Sequence, residues 1–199
     1  DDFVYAWRRA LMPDLASDYS QLLWTIEGAE SFFRWREEQL ADYAQDDSKQ
    51  SIETAQAYLD RAHQRFEEMV EVGTLDERTL RVKLARRVPY FLQLCAFATF
   101  MPVHRSTVES QTSLHVETGR LIQDPYWTRP DRLVCNGPYR LARRRFKRDL
   151  FMVANEHHWN RAALGTTRIH ERIIANPSTA LLLYEAGKVD SLPDIPSAG

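Results

Sequence analysis

Residues 51–85 read SIETAQAYLDRAHQRFEEMVEVGTLDERTLRVKLA, and their apolar period changes partway along. Ile52, Ala55, Leu59, Ala62, Phe66 and Met69 follow at steps of three and four, the spacing that gathers side chains on one face of an α-helix. Ser51 and Thr54 are candidate caps, and Glu53 suits the positive end of the helix dipole. The spacing predicts an amphipathic helix of about five turns. Beyond it Val70 and Val72, then Leu80, Val82 and Leu84, alternate with polar residues on either side of Asp76-Glu77, which predicts a β-hairpin. Gly73 offers another end for the helix, as a left-handed cap.

Upstream, residues 30–69 contain neither Pro nor Gly and are rich in Glu, Gln, Asp, Arg and Ala. Phe32, Phe33, Trp35, Leu40 and Tyr43 predict a partner helix joined through Asp46-Asp47-Ser48, so 30–69 reads as a helical hairpin. Phe3, Val4, Trp7 and Leu11 mark an earlier helix that Pro13 ends. Downstream, Val88 to Leu94 restarts a helix with Pro89 in its first turn, and the stretch between Pro102 and Pro130 has little pattern. Tyr139–Phe146, Leu150–Ala154 and Arg168–Ile174 read as strands, and Asn176-Pro177 opens a helix from Ser178 to Ala186 that Gly187 ends. Helices and strands interleave without a regular β-α-β beat, so the fold class is α/β or α+β.

Composition narrows the function. The 199 residues are 44% hydrophobic and 27% charged, enough apolar material for a core and incompatible with a disordered chain. Lys and Arg number 26 against 28 Asp and Glu, a net charge of −2 that argues against a general nucleic-acid binder. The apolar run Phe91–Val103 is broken by Gln93, Thr99 and Pro102 and is shorter than the roughly 18 residues of a membrane span. The opening Asp1-Asp2-Phe3-Val4 has no initiating Met and no signal pattern, and the expectation is a middle piece of a longer protein.

Candidate chemistry is sparse. His157-His158 are adjacent, so they point to different faces, whereas a shared metal wants spacings of two on a strand or of three or four on a helix. His63, His104, His115 and His170 lack Cys or carboxylate partners at ligand spacing and read as surface or core histidines. Cys95 and Cys135 show no CxxC framework; they read as small buried hydrophobes, with pairing open in an oxidising compartment. The basic run Arg140, Arg143, Arg144, Arg145, Lys147 and Arg148 reads as a solvated turn. Neither a GxSxG elbow nor a phosphate-cradling GxxxxGK[ST] loop occurs. No catalytic residue, metal ligand or cofactor site is assigned, and an enzyme is not expected.

Several segments, taken in order, carry a resemblance. Asp2-Phe3-Val4-Tyr5-Ala6-Trp7-Arg8-Arg9-Ala10 with Ala16-Ser17-Asp18-Tyr19 is similar to the "DFVYSW-R…TASPY" segment of the oligopeptide- and dipeptide-binding proteins of bacterial ABC importers, the extracellular solute-binding proteins of family 5. Leu75 to Leu84 resembles that family's "LDD-TLEVTL" hairpin, and Val88-Pro89-Tyr90-Phe91-Leu92 and Met101-Pro102-Val103 continue the match. Asn136-Gly137-Pro138-Tyr139-Arg140-Leu141 resembles "TNGPYKL". Asn155 to Asn160 resembles "NPxYWD", keeping Trp159 but with Glu156 and His158 in place of Pro and Tyr. Ala180 to Asp190 resembles "ALNLYEAGELD". Only residues 30–69 and 106–126 stand largely outside the likeness.

The resemblance implies part of a type II periplasmic-binding-protein fold, mostly lobe one. Residues 1–103 would be the second half of its small subdomain, including the helical insertion 30–69, and residues 104–199 the sheet-bearing part, ending near the crossing to lobe two. It implies a non-enzymatic, monomeric receptor that closes on an oligopeptide or dipeptide and delivers it to an ABC permease, with no cofactor and no nucleic acid. A periplasmic or extracytoplasmic location follows, with lipid anchoring through a preceding segment left open. Tyr19 falls on the tyrosine that faces the ligand in relatives. Ser191, Leu192, Pro193, Asp194 and Ile195 fall where relatives run an extended strand along the ligand, which can bond a peptide main chain whatever its side chains. Pro193 removes one donor there. Asn136-Gly137 is expected to shape a turn. A nickel complex, haem or sugar is the alternative ligand within the family. Outside transport, the alternative is a sensor or scaffold whose helical insertion, otherwise a peripheral decoration, docks a partner.

Overall fold

The period change at residue 70 is where a long helix hands over to a hairpin. In the computed structural model, which describes residues 1–46, 48 and 50–193, helix α3 spans Ile52–Met69 and strands β1 (Val72–Thr74) and β2 (Leu80–Val82) follow it. Ser51 caps α3, its hydroxyl accepting from Thr54 N at 3.1 Å. Val70, in an extended conformation, ends the helix; Gly73 lies within β1 opposite Arg81. The chain divides into two units, Asp1–Thr128 and Arg129–Gly199.

In the first unit, α1 (Asp2–Leu11) and α2 (Ala29–Ala44) precede α3, so residues 29–69 form the expected hairpin, with Asp47 of its turn outside the described residues. The hairpin is built into the core. Phe32 of α2 and Leu59, Ala62 and Phe66 of α3 are buried with Trp7 and Leu11 of α1, Leu23, Ile26 and Phe100. Phe32 and Phe66 meet edge to face at 5.4 Å, and Trp7 Nε1 donates to the Phe100 carbonyl at 2.9 Å. Gly28 has φ +81°, and a Cβ there would lie 1.7 Å from the Met69 carbonyl oxygen, so only glycine lets α2 start against the end of α3. Backbone bonds then join the segments: Glu71 N donates to Glu27 O at 3.0 Å, and Lys83 N to Glu71 O at 2.9 Å.

A buried ion pair fixes the hairpin from the other side. Arg36 on α2, fully buried, donates from Nη2 to Asp14 Oδ1 at 2.7 Å and from Nε to Oδ2 at 3.1 Å. Its remaining donors reach Tyr58 O and Gly119 O, both at 3.2 Å, while Asp14 also accepts from Leu121 N. Gly119 and Leu121 flank a hairpin that residues 103–130 conceal in sequence. Here α5 (Arg105–Glu109) precedes β3 (Thr112–Leu114), which pairs antiparallel with β4 (Leu121–Gln123). The helix expected at Val88 is the single turn α4 (Phe91–Leu94), and Cys95 is its C-cap.

The second unit carries an antiparallel sheet in the order β5 (Tyr139–Arg145), β6 (Asp149–Ala154), β7 (Arg168–Arg172), followed by α6 (Pro177–Glu185). Leu141, Met152 and Ile169 lie in register across it. Asn176 caps α6 through Thr179 N at 3.2 Å. The basic run is more than a solvated turn: Arg145 chelates the buried Asp149 carboxylate, and Arg143 and His170 stand 3.9 and 3.3 Å from it. The Arg145 hydrogen bonds hold that carboxyl well below the usual range. Among the described residues, no helix is long and apolar enough to cross a membrane.

Candidate functional site

Tyr19 sits between two tight turns, Pro13–Leu15 and Ser20–Thr25, in backbone that a side chain seldom adopts. Its φ is 135°, and Ala16 three residues earlier is left-handed at φ 46°. Such strain costs of order 1–3 kcal/mol per residue and gathers at ligand clamps. Leu22 N donates to Tyr19 O at 3.0 Å and Ser20 N to Ser17 O at 3.3 Å, so the loop is pinned while the phenol makes no hydrogen bond among the described residues. The Tyr19 ring is 52% exposed and packs edge to face on Phe97, itself 39% exposed, at 5.1 Å. The pair offers an aromatic surface with one polar tip.

Ser191, Leu192 and Pro193 stand in the second unit. They belong to no helix or strand, and among the described residues no backbone bond uses the N–H of Ser191 or Leu192. Two main-chain donors are therefore unspent beside a proline that has none. Asp194 and Ile195 lie outside the described residues. Asn136-Gly137 acts in the turn as expected: Asn155, buried, donates from Nδ2 to Gly137 O at 2.9 Å and from its backbone to Pro138 O at 2.8 Å. The same Asn155 side chain accepts from His157 N, and His158 Nδ1 is 3.3 Å from Asn136 O, so the histidine pair takes part in this turn. Among the described residues, no group of three or more His, Cys, Asp or Glu is placed to hold a metal ion. Cys95 and Cys135 are free thiols, and burial pushes that of Cys95 up.

One feature of the first unit has no local sequence signal, a cavity of about 340 Å³ between α1, α3 and the β3–β4 hairpin. His63, read as an ordinary surface or core residue, lines it beside Arg8, and burial with the nearby Arg8 charge lowers its pKa to about 4. The β3 and β4 strands that wall the cavity are three residues each, too short for alternation to be legible.

These elements form a mixed α/β fold whose structural neighbours are periplasmic binding proteins. The structure superposes on the OppA of Burkholderia pseudomallei with a TM-score of 0.73 at 25% identity, covering 100% of this chain and 31% of that one. It likewise matches the unliganded open form of the murein tripeptide-binding protein MppA, with a TM-score of 0.71 at 25% identity over 98% of this chain and 30% of that one. In sequence it is 26% identical over 189 residues to the oligopeptide-binding protein OppA of Bacillus subtilis, covering 95% of this chain and 28% of OppA. Residues 1–199 match the family of bacterial extracellular solute-binding proteins, family 5 Middle, and the chain belongs to that family. It spans less than a third of the length of these relatives.

Proposed function

We propose that this chain is part of the substrate-binding component of an ABC importer, one that captures oligopeptides or dipeptides between two lobes and passes them to a membrane permease. The observation that carries the reading is the family match along all 199 residues, among relatives named for binding oligopeptides and murein peptides. The local chemistry suits the role. Tyr19 supplies a strained, exposed aromatic, and Ser191 and Leu192 supply unspent main-chain donors for an extended peptide. Pro193, Asp194 and Ile195 continue that ligand-facing stretch in this proposal.

The relatives are solute-binding proteins, and capture by lobe closure needs no catalytic group. We place the protein outside the cytoplasm as a monomer, lipid-anchored or free. In this proposal residues 1–103 are the second half of the small subdomain of lobe one and residues 104–199 its sheet-bearing part, while the two compact units divide the chain at residue 128. The helical hairpin has its apolar face buried in that same core, which leaves a docking role without support.

Native mass spectrometry of the intact protein tests the reading through what co-purifies with it. Peptides of mixed sequence are expected, and recovery of one non-peptide small molecule would overturn the assignment. Tyr19→Ala should weaken peptide binding about threefold to tenfold, the scale of one aromatic contact, and an unchanged Kd would remove Tyr19 from the site. The isolated 199-residue chain should show no measurable peptide affinity.

A further inference from the structure

The cavity in the first unit is walled by α1, by α3 of the helical hairpin and by residues 109–123. Neither Tyr19 nor residues 191–193 line it. Its volume, about 340 Å³, falls within the range of small-molecule sites. Met12, Leu15, Leu59, Leu114 and Leu121 make one part of the lining apolar.

The charged residues of the polar part are mostly cationic. Arg8 lines the cavity, and among the described residues its guanidinium has neither a hydrogen bond nor an ion pair. Burial and the nearby Arg105 lower its pKa against a smaller pull from the Glu67 and Glu109 carboxylates, and an arginine remains charged at neutral pH. Arg9 beside it is fixed by Gln123 and stacks over Trp127 at 5.6 Å. Glu109 is the one acid in the lining, and Arg105 already pairs with it at 2.8 Å. His63 is neutral near pH 7, and neither it nor the Tyr5 hydroxyl has a hydrogen-bond partner among the described residues. A half-buried guanidinium that makes no hydrogen bond or ion pair among the described residues, above an apolar floor and beside two hydrogen-bonding groups, is suited to an anion with an apolar body.

We infer that this cavity, between α1, α3 and the β3–β4 hairpin, is a second binding site, which takes a small organic acid whose carboxylate meets Arg8 and whose apolar body lies against Leu59, Leu114 and Leu121. Tyr5 and His63 stand beside Arg8 to complete the carboxylate's hydrogen bonds. The site rests on this unit's own residues and does not depend on what the peptide-binding loop recognises.

The test titrates the intact protein with 4-phenylbutyrate and with its uncharged counterpart 4-phenylbutanol, following binding by saturation-transfer NMR. The acid should bind in the millimolar range and about tenfold more tightly than the alcohol, the scale of one charge-assisted hydrogen-bonding contact. Arg8→Gln should abolish that preference. Gln56→Trp, at an exposed position of α3 that lines the cavity, should block both probes by filling it, with an unchanged unfolding midpoint as the check on folding. Binding of the acid no tighter than the alcohol, absence of binding up to about 10 mM, or binding indifferent to both substitutions would overturn the site. Co-purifying peptides are read in a separate measurement, so failure here leaves the peptide reading standing and the converse also holds.

Discussion

The first unit buries a continuous cluster running from Trp7 through Phe32 and Phe66 to Phe100, whereas in the second unit no apolar side chain among the described residues is buried to that degree. What the second unit does bury is polar: Asp149 beneath Arg145 and His170, and Asn155 in its turn. Leu141, Met152 and Ile169 form a cross-strand row that is only half covered, and Leu182 and Tyr184 of α6 are exposed. The first unit is held by side-chain packing, the second by backbone ladders and polar turns, with its apolar rows left for other surfaces to cover.

The sharpest way to break this contrast is through the ion pair that no solvent reaches. Arg36→Met strands the Asp14 carboxylate in the core together with Tyr58 O and Gly119 O, and should cost about 3–5 kcal/mol. Adding Asp14→Leu should recover part of the loss, since the stranded charge is then gone while the carbonyls and Leu121 N remain unpaired. Urea unfolding followed by tryptophan fluorescence reads both. Equal stability of the single variant and the parent would show that the pair does not lock the hairpin.

Next in size comes a matched pair of truncations. Phe66→Ala opens a void in the fully buried cluster and should cost about 3–5 kcal/mol, while Met152→Ala on the half-covered sheet should cost well under about 2 kcal/mol. Similar losses for the two would mean that the second unit has a tighter interior than its exposures indicate. Thermal unfolding of the intact protein measures both against the parent.

The same contrast explains what could be read in advance. Helix α3 was legible from Ile52 to Met69 because one face is apolar over its whole length, and strands β5, β6 and β7 were legible within a few residues. The β3–β4 hairpin was not, because three-residue strands carry too few alternations and its position is set by Arg36 and Asp14 from elsewhere in the chain. Tyr19 was singled out through a motif resemblance, but its positive φ is a property of the folded loop with no local signature such as glycine to announce it. His63 read as an ordinary surface or core histidine and Arg8 only as part of a motif, since a cavity made by three distant segments leaves no mark in any one of them.

The smallest expected effect belongs to His63, whose ordinary pKa of 6.5 is lowered to about 4, first by burial and then by Arg8, against a smaller opposing pull from Asp60. Arg36 and Arg105 lower it further. In the unfolded chain the imidazole takes up its proton near pH 6.5, while the folded protein withholds it until about pH 4. The unfolded state therefore binds more protons between those values, and stability falls as pH drops through the window, with the full contribution present above 6.5. His63→Asn should flatten that part of the stability–pH curve and leave the unfolding midpoint near pH 7.5 little changed. An imidazole titration by NMR that places His63 near 6.5 would mean that the cavity floor is wetter than its lining of Met12, Leu59 and Leu121 implies, and the first unit would then resemble the second more closely than its core suggests.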